Sequence, residues 1–367
     1  MRFFLPSDIY VEKNCVLNHK KDILAMGKRA FIVTGRHSAK ANGSLDDVLS
    51  ILKEGHVAYE IFSEVEENPS VETVAKAASM GKAFGADYLI GIGGGSPIDA
   101  SKAISLLMAN PEETEECLYN AKDLSYLPIL AIPTTCGTGT EATPVSVLTN
   151  HQKGIKKSIP YKIFPKLSLV DGKYLKAASK NLLINTAVDA LAHSVESYLN
   201  SKSNIYNRMF PEYALKLWGD QKKLLLEEGP LTDDQYEMLM LASTISGMAI
   251  THTGTGLPHG MSYDLTYNYG VPHGKACGYF LPAFLEVCSR YVPEDVDHVL
   301  ALLGMKDVAE FSAFLKDLLG DYSITQEARD KFVGAMATNE GKLSAFPGPV
   351  KAEEVAYMYD ASLKIEG

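Results

Sequence analysis

Short apolar runs and helically spaced segments alternate along the first half of the chain. Arg29–Thr34 (RAFIVT), His56–Phe62, Asp87–Ile92 (DYLIGI) and Leu127–Ile132 (LPILAI) read as buried strands. Between them, Leu45–Lys53, Val71–Phe84 and Pro97–Met108 repeat apolar residues at helical intervals. Alternation with connections this short predicts a parallel sheet covered on both faces. After about Asp171 the texture changes. Asn181–Asn200, Pro211–Leu226, Asp233–Ile250, Ala283–Tyr291, Val308–Leu319 and Glu353–Leu363 carry helical periodicity without strand runs between them. Thr232 ahead of Asp233, Asp234 and Gln235 resembles an N-cap followed by an acidic first turn. A boundary near residues 172–180 divides the chain into an α/β domain (1–176) and an all-helical domain (177–367).

Composition narrows the classes of function. The 367 residues are 46% hydrophobic and 22% charged, which fits an ordinary globular build of one or two domains. Asp and Glu outnumber Lys and Arg by 45 to 35, a net charge of −10, so the basic excess of a nucleic-acid surface is missing. No apolar run reaches the roughly 18 residues that would span a bilayer. The five cysteines form no CxxC pair and no basic-then-apolar leader is present, so a cytoplasmic protein with reduced thiols is expected.

Two loops carry candidate anion chemistry. Asp87–Lys102 (DYLIGIGGGSPIDASK) runs from a strand through a glycine cluster into a helix. Glycines let the backbone approach an anion, and the helix N-terminus offers free N–H groups. A tight β–α turn without a ligand would read the same way. Pro133–Glu141 (PTTCGTGTE) follows another strand and supplies threonine hydroxyls, which equally suit plain turn chemistry. After the first strand, Thr34–Lys40 (TGRHSAK) lacks the acidic residue that binds a ribose 2′-OH. Arg36, Ser38 and Lys40 there suit a 2′-phosphate.

Asp189 and His193 stand four apart in Asn185–Ser197 (NTAVDALAHSVES), hence on one helix face. A structural Asp–His pair is one reading and a metal site the other. His259 and His273 each follow Pro and precede Gly, which suits ligands fixed at segment ends. One carboxylate and three imidazoles fit a divalent first-row ion, Fe²⁺ or Zn²⁺. His252 reads as a packing residue or a support behind the ligands. Cys277 and Cys288 fall at no spacing that recruits them.

Taken together, the GGGSPIDASK loop, the PTTCGTGTE loop, the DALAH helix, the paired HG motifs and the tail from Asn339 to Val355 resemble the iron-containing alcohol dehydrogenase family over nearly the whole chain. That resemblance implies a dehydroquinate synthase-like fold, with a Rossmann-like dinucleotide-binding domain followed by a helical metal-binding domain. It implies metal-ligand roles for Asp189, His193, His259 and His273. For the coenzyme it implies Gly94, Gly95, Ser96 and Asp99 in the first loop, Thr134, Thr135 and Thr138 in the second, and Lys157, eight residues before Pro165. Relatives preferring NAD often carry Asp where this chain has Gly35, so NADP is the expected coenzyme and NAD the alternative. Many relatives carry a histidine four residues after the third ligand, where this chain has Tyr263. Tyr263 and His252 are therefore the candidates for passing a proton outward.

The expected activity is oxidation of small primary alcohols or diols, or reduction of their aldehydes, by a homodimer. A polyol oxidoreductase of the glycerol dehydrogenase type is a near rival, though the presence of His193 favours the iron branch. A lyase of the dehydroquinate synthase type would need several cations around a phosphorylated substrate, and Arg208 is the only arginine between Asp189 and His273. A non-catalytic nucleotide sensor would be expected to have lost a ligand.

Overall fold

The computed structural model describes residues 3–366. They group into an α/β unit, Phe4–Ala178 with Leu231–Thr244, and a helical unit built from Phe3, Ser179–Pro230 and the chain from Ile245 onward. The expected boundary at 176/177 therefore needs correction in one respect, because Leu231–Thr244 belongs with the α/β unit. Side chains explain the grouping: Lys176 pairs with Asp233 at 2.7 Å, and Thr244 Oγ1 donates to Glu141 Oε1 at 2.7 Å.

The α/β unit is built on six parallel strands. They are β1 (Asp8–Val11), β2 (Arg29–Gly35), β3 (Ala58–Val65), β4 (Tyr88–Gly93), β5 (Ile129–Pro133) and β8 (Leu167–Val170). Their order across the sheet is β1-β8-β5-β4-β2-β3. Side chains alternate between two apolar layers. Phe31, Val33, Leu89 and Ile129 enter one layer, while Ala30, Ile32, Tyr88, Ile90 and Leu130 enter the other. Burial on both faces is why these strands read as unbroken apolar runs. β1 (DIYV) is half-exposed and β8 (LSLV) spans only four residues, so neither stands out in the sequence. An antiparallel hairpin, β6 (Val147–Asn150) with β7 (Ile155–Ser158), also escaped expectation, since IKKS carries almost no apolar signal.

In the helical unit, the helices Lys180–Tyr198 and His273–Cys288 pack against each other, and Leu257–Tyr269 packs on the latter. The expected Ala283–Tyr291 helix in fact begins at His273. Its first two turns read His-Gly-Lys-Ala-Cys-Gly, whose two glycines weaken the helical signal. The unit is not wholly helical either. β9 (Ser323–Thr325) pairs in parallel with β10 (Lys364–Glu366), three residues each and too short to leave a periodic pattern.

No described helix is long and apolar enough to cross a membrane.

Candidate metal centre and coenzyme loops

Ser179 caps the Lys180–Tyr198 helix by accepting from Leu182 N. Trp218 Nε1 then ties the helix from the side, donating to Ala187 O at 2.7 Å. This fixes Asp189, His193 and Glu196 at spacings of four and three, on one buried face. Gly274 brings the second helix in close. A Cβ there would lie 1.9 Å from Asn185 O and 2.8 Å from Asp189 Cβ, so only glycine permits this approach. The approach sets His273, the first residue of its helix, beside Asp189. His259 sits in the first turn of Leu257–Tyr269.

Three imidazoles surround one carboxylate oxygen. Asp189 Oδ1 lies 3.4 Å from His259 Nε2, 3.8 Å from His273 Nε2 and 3.9 Å from His193 Nε2. A structural Asp–His pair would close to an ordinary hydrogen bond of under about 3.2 Å. Instead Asp189 Oδ1 and His259 Nε2 are both buried without a hydrogen-bond partner. Orphaned buried polar atoms are costly, and a divalent cation held between them satisfies both.

The far sides of the rings are engaged. His259 Nδ1 meets Glu196 Oε1 at 2.7 Å. Ser262 Oγ donates to His259 O and lies 3.2 Å from His273 Nδ1, so it accepts from that nitrogen. These contacts hold both rings by Nδ1 and turn each Nε2 toward Asp189 Oδ1, the atoms that would coordinate an ion. Glu196 also caps the Leu257–Tyr269 helix, accepting from Gly256 N and from His259 N (3.0 Å). Glu196 was not foreseen; its only sequence signal is the spacing of seven from Asp189.

Electrostatics follow the same pattern. Burial would raise the Asp189 carboxyl, but His193, His259 and His273 outweigh it and hold the group well below the usual carboxylate range. Burial likewise opposes charge on Glu196, yet His259 and the Gly256 N–H keep it ionised.

Tyr263 stacks on His273, ring centroids 5.5 Å apart, and Lys342 Nζ lies over the Tyr263 ring, 5.7 Å from its centroid. His252 has different company. Its ring stacks against Phe3 and Phe210, which also stack on each other, and Nδ1 meets Met248 O at 2.8 Å.

In the α/β unit, Gly94 is the N-cap of the Gly95–Ala109 helix, and the two candidate loops interlock. A Cβ on Gly95 would lie 2.7 Å from Thr138 Cγ2, and one on Gly94 3.2 Å from Thr135. Thr134 N donates to Gly93 O at 2.9 Å. Ser96 Oγ accepts from Asn68 N. Asp99 is turned inward, accepting from Thr140 Oγ1 at 2.5 Å and Val147 N at 2.9 Å. Beneath both loops lies Lys102, fully buried, donating to Thr140 O (2.8 Å), Thr140 Oγ1 (2.6 Å) and Val145 O (2.7 Å). Burial depresses its ammonium to about 8. Arg36, Ser38 and Lys40 are exposed just beyond β2, where Gly35 ends the strand. Lys157 is exposed on β7; its neighbour Lys156 reaches Asn68 Oδ1 at 2.6 Å, next to Ser96. Strand alternation sends the two lysines in opposite directions.

Comparison with known proteins gives the class. Residues 6–172 match the iron-containing alcohol dehydrogenase family, and residues 183–346 match the C-terminal domain of the same family. The chain is 33% identical over 298 residues to the NADPH-dependent butanol dehydrogenase of Clostridium saccharobutylicum, covering 79% of this chain and 74% of that protein. It is 30% identical to the sulfoacetaldehyde reductase of Bilophila wadsworthia, covering 81% of this chain and 80% of that one. The match to the bifunctional aldehyde-alcohol dehydrogenase of Escherichia coli, 31% identical, spans only 32% of that protein. Among solved structures, an iron-containing alcohol dehydrogenase from Thermotoga maritima superposes with a TM-score of 0.90 at 35% identity, over 99% of both chains. The chain belongs to the iron-containing alcohol dehydrogenase family, and the family implies a divalent metal and a nicotinamide coenzyme.

Proposed function

We propose that the protein is a metal-dependent, NADP-preferring reductase of small aldehydes, or oxidant of the corresponding primary alcohols and diols. The observation that carries this is the pair of orphaned buried atoms, Asp189 Oδ1 and His259 Nε2, with the Nε2 atoms of His193 and His273 beside them. Iron(II) suits this nitrogen–oxygen donor set, and zinc(II) fits it as well. A bound divalent ion supplies Lewis-acid polarisation of the substrate oxygen, and the coenzyme supplies the hydride.

The chain's own residues do the rest. Asp189, His193, His259 and His273 hold the ion, with Glu196 and Ser262 fixing the two ring orientations. Gly94 and Gly95 open the backbone N–H groups at the head of their helix to a diphosphate, flanked by Ser96, Thr134, Thr135 and Thr138. Asp99 and Lys102 clamp the two loops from below. Arg36, Ser38 and Lys40 suit a 2′-phosphate, in keeping with the relative named as NADPH-dependent. Tyr263 passes the proton outward, a reading supported by its stacking on His273, whereas the aromatic contacts of His252 favour a packing role.

The test is anaerobic reconstitution with Fe²⁺ or Zn²⁺, followed by oxidation of NADPH and NADH with a panel of short aldehydes. NADPH-linked reduction that depends on added metal is expected. Nucleotide binding without turnover on any reconstituted metal would instead favour a sensor.

A further inference from the structure

One donor beside the ligand cluster lies outside the Asp–His₃ set. Cys277 stands one turn after His273 on the His273–Cys288 helix, hence on the same face. It is completely buried, and its Sγ lies 4.0 Å from His273 Nε2. Ligand atoms of Asp189, His259, His273 and Cys277 all fall within 4.8 Å of one another. Two of these, Asp189 Oδ1 and His259 Nε2, are the buried atoms that lack partners.

We propose that Cys277 is a fifth donor of the metal centre, binding thiophilic divalent ions through Sγ in place of, or together with, His193. The inference rests on the metal site proposed above. Metal–nitrogen and metal–sulfur bonds of about 2.0–2.1 and 2.3 Å place tetrahedral donors roughly 3.3–3.6 Å apart. The separations of 3.4, 3.8 and 4.0 Å need a contraction of about half an ångström or less, and the remaining pairs, all within 4.8 Å, about an ångström. His193, at 3.9 Å from Asp189 Oδ1, needs a similar one. Asp189, His259 and His273 therefore serve two donor sets, one completed by an imidazole and the other by a thiol.

Donor softness then separates the ions. Thiolate favours zinc, cobalt and cadmium, whereas the nitrogen–oxygen set accepts harder ions such as manganese(II). Binding through sulfur breaks the S–H bond, releases that proton to solvent and forms a metal–sulfur bond, with no change of oxidation state.

Anaerobic Co²⁺ titration of the full chain tests this by absorption. The wild type is expected to show an intense near-ultraviolet sulfur-to-cobalt charge-transfer band. Cys277→Ser and Cys277→Ala should lose it, and His193→Ala should keep it. Cadmium affinity should fall at least about tenfold in Cys277→Ser, with manganese affinity essentially unchanged. Stoichiometric cobalt in the wild type without the band, or a band that survives in Cys277→Ser, overturns the inference and leaves the metal site standing. If the wild type binds no cobalt at all, both readings fall. The isosteric serine variant guards against loss of folding in the alanine one.

Discussion

Glu196 bears on His259 twice, by accepting from its backbone N–H and by meeting its Nδ1. Replacing it with glutamine removes the charge and one acceptor while keeping the volume. Glu196→Gln should weaken divalent-metal affinity about 10- to 100-fold, read by competition with a chelating dye. An unchanged affinity would reduce Glu196 to a helix cap. Gly35 supports a second expectation. A Cβ there would meet nothing nearer than Val65 O at 3.5 Å, so a side chain fits without strain. Gly35→Asp places a carboxylate that accepts from a ribose 2′-OH and repels a 2′-phosphate. The ratio of NADPH to NADH efficiency should fall at least about tenfold, the 1.4 kcal/mol of one good discriminating contact. At this scale Asp189 and His193 are legible because a spacing of four on an apolar helix is unusual for two polar groups. Glu196 and Cys277 are not, because each acts from the same helix as a more conspicuous ligand and only the packed structure shows where it points. Lys157 is the residue that the sequence singles out for the coenzyme, and its neighbour Lys156 is the one that reaches Asn68 beside Ser96.

Between elements, the contact of Lys180–Tyr198 with His273–Cys288 depends on Gly274. Gly274→Ala should push the helices apart and cost about 1–3 kcal/mol, seen as a lower Tm and weaker metal retention. A variant with wild-type Tm and metal content would show the approach to be slack. Tyr359 of the Ala352–Ser362 helix donates to Asp264 Oδ2 at 3.0 Å, joining that helix to Leu257–Tyr269. Burial raises the Asp264 carboxyl to about 6, against a small opposing effect of that hydrogen bond and of Lys331. A carboxyl raised in the folded state binds more protons there than in the unfolded chain. Its stabilising contribution is complete below the unfolded value near 4 and is lost as pH rises through about 6. Asp264→Asn should therefore gain Tm relative to wild type between pH 4 and pH 7, and a pH-independent difference would refute the assignment. Most helices and the central strands were readable from periodicity. Leu257–Tyr269 and the start of His273–Cys288 were not, since Pro-His-Gly at each entrance reads as loop.

Across the whole molecule, the sequence shows alternating strands and helices giving way to helices alone near residues 172–180. The return of Leu231–Thr244 to the α/β unit is not legible there, because it depends on contacts such as Thr244 with Glu141 between residues far apart in sequence. Net charge carried little information. A chain at −10 is proposed to hold a polyanionic coenzyme with backbone N–H groups and a few local cations, Arg36 and Lys40 among them. The central claim concerns the ion in the helical unit, and one comparison tests it most directly: metal content and NADPH binding of wild type and Asp189→Ala, purified and reconstituted anaerobically. Asp189→Ala removes the oxygen around which all three imidazoles gather and leaves the α/β unit untouched. The account predicts stoichiometric metal in the wild type, at least about a hundredfold weaker retention in the variant, and equal NADPH affinity in both. A variant that keeps its metal, or a metal-free wild type that still reduces aldehydes, would contradict it.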